Sequence, residues 1–111
     1  MTPEQLYDIL SPYAVSQGIR LNNDREFVLD ILRGLLTNEQ RYGYRSCPCR
    51  LAWADKGRDK DIICPCAYRD PDIREYGSCY CSLYVSAEWS EGSIERRQVP
   101  ERRPKELRRM L

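Results

Sequence analysis

The sequence predicts a small, mainly α-helical fold with little β structure, its second half organised by cysteines. Two amphipathic patterns occupy the first third, and the middle is built on three Cys-x-Cys pairs. These are Cys47-Pro48-Cys49, Cys64-Pro65-Cys66 and Cys79-Tyr80-Cys81, all within 35 residues, in a chain without histidine. Only one short stretch, residues 82–86, reads as a strand. A length of 111 residues predicts a single domain.

Thr2 can cap a first helix, with Pro3 at the position where a missing N–H costs nothing. Leu6, Ile9, Leu10, Tyr13 and Ala14 then mark one buried face, and Gly18 is a natural stop. A short extended piece from Ile19 to Asn22 leads to Asn23-Asp24-Arg25-Glu26, which has capping-box spacing. Phe27, Val28, Ile31, Leu32, Leu35 and Leu36 define a second helix ending near Thr37-Asn38. The two helices are expected to pack together as a base or lid for the cysteine region. Pro48 and Pro65 bias Cys47 and Cys64 toward extended backbone, so each pair should sit on a turn with its sulfurs pointing different ways. Leu51 to Asp61 can form a helix, weakened by Gly57, whereas Asp70-Pro71-Asp72 and Gly77-Ser78 read as turns. Pro100 and Pro104 break up the tail, and Lys105 to Leu111 is expected to add a final helical turn.

Composition narrows the function classes. Charged residues make up 32% of the chain and the mean hydropathy is −0.69. No apolar run approaches the ~20 residues of a membrane span, and the N-terminus lacks the pattern of a signal or transit peptide. A cytoplasmic setting is expected, where clustered cysteines bind metal or do redox chemistry more often than they form structural disulfides. Residues 94–111 carry seven Arg/Lys against three Glu, a local balance of +4 that leaves the rest at −3. No aromatic-interleaved basic surface accompanies this tail, so an acidic protein is a better partner for it than nucleic acid.

The cysteines carry the chemistry. A cubane iron–sulfur cluster takes four thiolates, and four from six leaves a pair of thiols that can act as a redox couple. Structural zinc sites favour two to four residues between paired cysteines, often with histidine, and neither feature is present. A simple [4Fe-4S] electron carrier would explain four cysteines and leave two without a role. Only a cluster working beside a dithiol gives all six a role.

Three ordered pairs, two of them Cys-Pro-Cys, resemble the catalytic chain of ferredoxin:thioredoxin reductase. The resemblance covers residues 2–90, including the two helices and the Cys47-Pro48-Cys49-Arg50 start. It implies helices packed around a [4Fe-4S] cluster held by Cys47, Cys64, Cys66 and Cys79. It also implies a redox-active disulfide between Cys49, the thiol that attacks substrate, and Cys81, which lies against the cluster. The implied activity is a ferredoxin-dependent reduction of thioredoxin or a thioredoxin-like protein, in some relatives with a small variable subunit. On this reading residues 1–94 form the catalytic-chain-like domain and residues 95–111 a basic tail that either meets ferredoxin or is a disordered or self-packing end. Arg50, adjacent to Cys49, either favours its thiolate or is a solvated surface cation.

This chain departs from the family pattern in two places. Fourteen and twelve residues separate the pairs, a shorter first and a longer second interval than the family carries. Tyr80 stands where the family has a proton-transferring histidine. A phenol with a pKa near ~10 is a poor base at neutral pH but can donate a proton, so Tyr80 is either a donor or a packing residue. Tyr42, Tyr44, Tyr68, Tyr76 and Tyr84 are expected to shield the centre, and Trp53 to be core or interface.

Overall fold

The computed structural model describes residues 1–110; Leu111, the end of the expected last helical turn, lies outside them. About half of the chain is helical, with one two-stranded sheet. The long helices are α1, Pro3–Ser16, and α2, Arg25–Tyr42, and they pack on each other. Thr2 accepts from the Gln5 N–H at 3.1 Å while the Gln5 side chain accepts from the Thr2 N–H at 2.8 Å, a reciprocal cap. Leu6 and Ala14 are fully buried, but Ile9 is half exposed, so the buried stripe of α1 is narrower than its five apolar positions suggest. Asp24 caps α2 by accepting from the Phe27 N–H at 3.1 Å. Helix α2 runs on to Tyr42, past the expected stop near Asn38, and ends at Gly43 with φ 84°. Asn38 instead turns its amide outward from the helix, donating to the Ser46 carbonyl at 2.9 Å.

The sheet is small and well placed. Strand β1, Arg20–Leu21, pairs antiparallel with β2, Tyr84–Val85, with Leu21 opposite Tyr84. Asn22 extends the contact, its side chain donating to the Ser82 carbonyl at 3.0 Å. The third cysteine pair therefore hangs from the same core that α1 and α2 build, and Cys79 is part of that core.

Two expectations fail in the middle of the chain. The helix expected across Leu51–Asp61 shrinks to one turn, α3, Lys56–Asp59, followed by a 3-10 turn Lys60–Ile62. The reason is Asp59, a buried carboxylate whose oxygens accept from the Trp53 N–H at 3.0 Å and the Tyr44 hydroxyl at 2.5 Å. That holds residues 53–55 in a loop. Conversely, Asp70-Pro71-Asp72 is not a turn but the opening of α4, Arg69–Tyr76. Proline is compatible there because first-turn N–H groups have no helical partner, and the two aspartates suit the positive end of the helix. A helix not foreseen, α5, Ala87–Glu91, is capped by Ser86 through the Trp89 N–H at 3.0 Å.

Residues 95–110 fold back along the molecule, with Val99 and Arg103 buried. The expected helical turn near the end is a 3-10 turn, Lys105–Leu107.

Candidate functional site

Backbone pairing brings the first two cysteine loops together. Ser46 bridges Ile63, the Cys47 N–H donates to the Ile62 carbonyl at 2.8 Å, and the Cys64 N–H donates to the Arg45 carbonyl at 2.8 Å. Helix α2 backs the first loop at Gly34, where an added Cβ would lie 2.9 Å from the Pro48 Cβ. The third loop folds on itself: the Cys79 N–H reaches the Tyr84 carbonyl at 2.9 Å, and the Tyr84 N–H points at the Cys79 sulfur at 3.3 Å.

The result is one small cavity lined by Cys47, Cys64, Cys66, Cys79 and Cys81, closed by Pro65, Tyr80 and Tyr84. The sulfurs of Cys79 and Cys81 are 3.9 Å apart. So the paired sulfurs do not all diverge as expected. The second and third pairs both turn inward, and only the first pair splits, with Cys47 buried and Cys49 exposed. Cys49 opens instead onto a shallow surface cleft shared with Leu51, Tyr80, Glu101, Arg108 and Arg109. Tyr80 lines both spaces.

Electrostatics distinguishes the thiols. The Cys47 thiol is brought down to about 3, first by a hydrogen bond with Cys49, then by Cys81 and Arg50. The same Cys47 contact pushes Cys49 up to about 11. Burial raises Cys64, which also feels the charges of Cys47, Cys79 and Cys66. The third pair splits the same way: the contact with Cys81 lowers Cys79, and contacts with Cys47, Cys49 and Cys79 hold Cys81 well above the ordinary thiol range.

Two buried arginines face this cavity. Arg50, with a side chain only 2% exposed, donates to the Cys66 sulfur at 3.6 Å and is held by Glu101 at 2.9 Å. Its guanidinium lies 4.5 Å from the Tyr80 ring centre and 5.3 Å from that of Tyr68. The expected service to Cys49 is therefore corrected: the charge acts on Cys66 and Cys47. Arg69, on α4, lines the other side, lies 5.0 Å from the Tyr84 ring and donates to the Tyr13 hydroxyl at 2.9 Å. Burying several thiolates requires nearby positive charge, and these two residues supply it. Sequence reading missed Arg69; its only signal was an arginine three residues past the second Cys-Pro-Cys, where Arg50 directly follows the first.

The tyrosines divide differently from expectation. Tyr80 and Tyr84 shield the cavity, and Tyr68 stacks near Arg50. Tyr42 and Tyr44 pack on each other with ring centres 5.9 Å apart, while Tyr76 carries Arg97 at 5.2 Å; neither group lines the cavity. Trp53 is half-buried and donates its indole N–H to the Leu107 carbonyl at 2.9 Å.

Five soft thiol donors around one space, with two arginines and no carboxylate among its lining residues, form a donor set that suits an iron–sulfur cluster. Among the described residues, no three His, Cys, Asp or Glu side chains close on one point as the ligands of a single ion do. The model of the ferredoxin thioredoxin reductase catalytic beta chain matches residues 2–106. The chain belongs to that family. Ferredoxin thioredoxin reductase catalytic chains are an iron–sulfur family, and the family name implies an oxidoreductase with ferredoxin and thioredoxin as partners. Comparison with curated proteins gives no match. None of the described helices is long and apolar enough to cross a membrane.

Proposed function

We propose that this chain is a ferredoxin-dependent disulfide reductase. In this reading Cys47, Cys64, Cys66 and Cys79 hold a [4Fe-4S] cluster, and Cys49 and Cys81 form the working dithiol. The observation that carries it is the sorting of the six thiols: five line one cavity, and Cys49 alone is exposed, opening onto the cleft beside it. When bound, such a cluster would relay electrons one at a time, letting a one-electron donor serve a disulfide that needs two.

The residues then do the following. Cys49, raised by its contact with Cys47, first gives its proton to solvent; its thiolate then attacks a sulfur of the acceptor disulfide, that S–S bond breaks, and a mixed disulfide forms. Cys81, inside the cavity wall, attacks the Cys49 sulfur, releasing the acceptor as a dithiol and leaving Cys49–Cys81 oxidised. Tyr80, which lines both the cavity and the Cys49 cleft, is held as a neutral phenol, since burial and the nearby Glu101 carboxylate raise it. It serves as a proton donor to the departing sulfur rather than as a base. Arg50 and Arg69 keep the buried thiolates compensated.

The test is anaerobic purification with iron, sulfide and visible absorption measured, and thiols counted before and after reduction. One four-iron cluster and one reducible disulfide per chain are expected. Zinc without iron, or iron with all six thiols unavailable to reduction, defeats the proposal. Cys49→Ser should abolish the mixed disulfide while iron and sulfide stay at wild-type content; loss of the cluster there would mean the ligands are misassigned.

A further inference from the structure

Residues 108 and 109 lie at the cleft that exposes Cys49, on the same side as the attacking thiol. We propose that this cleft receives a protein disulfide flanked by carboxylates, so that the acceptor is acidic around its reactive bond. The inference rests on the disulfide-reductase reading above and names its substrate class.

Four arginines border the cleft, and their charges are not equivalent. Arg50 is matched by Glu101 at 2.9 Å and Arg103 by Asp61 at 2.8 Å, both inside the fold. Among the described residues neither Arg108 nor Arg109 has a carboxylate within ion-pair distance; Glu101, in the same cleft, feels the Arg108 charge but is itself paired with Arg50. Arg108 donates to the Arg103 carbonyl at 2.7 Å and to the Glu101 carbonyl at 3.3 Å. Arg109 donates to the Ala52 carbonyl at 2.9 Å. Carbonyl bonds fix a guanidinium in place without cancelling its charge, so two oriented cations flank the nucleophile's opening. Leu51, 44% exposed, adds an apolar contact at the same edge. A fixed cationic rim with an apolar step fits an acidic protein surface, and its field speeds encounter with such a partner. The tail's charge balance suggested an acidic protein partner and the family resemblance suggested ferredoxin; Arg108 and Arg109 of the tail border the Cys49 cleft.

The step balances without another reagent. The Cys49 thiolate bonds to one acceptor sulfur, the acceptor S–S bond breaks, and the second sulfur leaves as a thiolate that takes its proton from Tyr80, which water reprotonates.

The experiment uses the anaerobically purified, reduced, cluster-loaded Cys81→Ser chain, which stops at the mixed disulfide. Its rate is measured with dianionic dithiobis(nitrobenzoate), neutral hydroxyethyl disulfide and dicationic cystamine, each divided by the probe's rate with mercaptoethanol. The normalised rate is expected to be about tenfold higher for the dianion than for the neutral probe, and lowest for the dication. Added salt should compress that order. Arg108→Glu with Arg109→Glu, at half-buried and exposed positions, should invert it. Equal normalised rates for the three probes, or an order indifferent to charge reversal, overturn the proposal. Unchanged probe rates in the reversed variant with slower reduction by a ferredoxin overturn it too, assigning the rim to the donor. No reaction with any probe instead defeats the disulfide-reductase reading itself.

Discussion

Arg50 does three things at once. It donates to the Cys66 sulfur, lies against Tyr80, and is gripped by a carboxylate 51 residues away in sequence. Removing one member of a buried ion pair leaves the other uncompensated, at a cost of about 3–5 kcal/mol. Arg50→Met should therefore lower stability by roughly 3 kcal/mol, read as a reduced urea midpoint at unchanged slope. Arg50→Lys should recover only part of this, because an ammonium cannot reproduce a bidentate grip and a ring stack together. In the loaded protein the Met variant should also show a lower reduction potential, since a positive charge beside the thiolates is gone. A Met variant as stable as wild type would show that Glu101 and Arg50 are merely neighbours. Sequence reading found the residue but aimed it at Cys49. Adjacency in the chain suggested that direction; the Glu101 partner that fixes the side chain comes from the tail, and no local pattern reveals a pairing at that separation.

At the scale of elements, α1 and α2 were legible because burial there follows the helical period, with Leu6, Ala14, Val28, Leu32 and Leu35 all inside. The segment between the first two pairs was not, because one carboxylate, Asp59, takes over backbone and side-chain donors that a helix would leave alone. The Cys-Pro-Cys loops were recognisable as loops, but what positions the first of them is a glycine read only as part of a helix. Gly34 lets α2 come within contact of Pro48. Ala there gains helix propensity of up to about 1 kcal/mol yet places a methyl at 2.9 Å, where overpacking costs about 1–3 kcal/mol. The net expectation is a modest loss in melting temperature together with a displaced Cys47-Pro48-Cys49 loop. Iron retention during dialysis against a chelator, compared between Gly34→Ala and wild type, checks it. A variant that is more stable and holds iron equally well would mean that Pro48 yields freely.

Across the whole molecule, three consecutive tail residues stitch distant elements. Glu101 binds Arg50 of the first cysteine loop, Arg102 binds Asp72 and Glu75 of α4, and Arg103 binds Asp61 ahead of the second cysteine loop. Composition announced only a basic tail; which charges are spent internally became visible in the fold, because Arg103, 1% exposed, is buried against partners some forty residues away. This stitching should appear in the acid behaviour. Burial works to raise Asp61, but hydrogen bonds from Tyr68 and Arg103 outweigh it and the carboxyl titrates below its ordinary range. Glu101 is likewise lowered, burial being outweighed by Arg50 and the Arg103 N–H. A carboxyl whose folded value is depressed contributes stability that is complete above its unfolded value, about 4, and is lost as pH falls through the folded value. Wild-type stability should thus hold from neutral pH down to about 5 and decline steeply below about 4. Arg103→Leu should lose about 3 kcal/mol at neutral pH, since Asp61 and Asp59 lose their cation. Its acid decline should be shallower, because Asp61 then titrates closer to the unfolded chain. Urea unfolding at a series of pH values, wild type beside variant, measures both. Parallel curves would show that the tail holds the cysteine loops by packing alone.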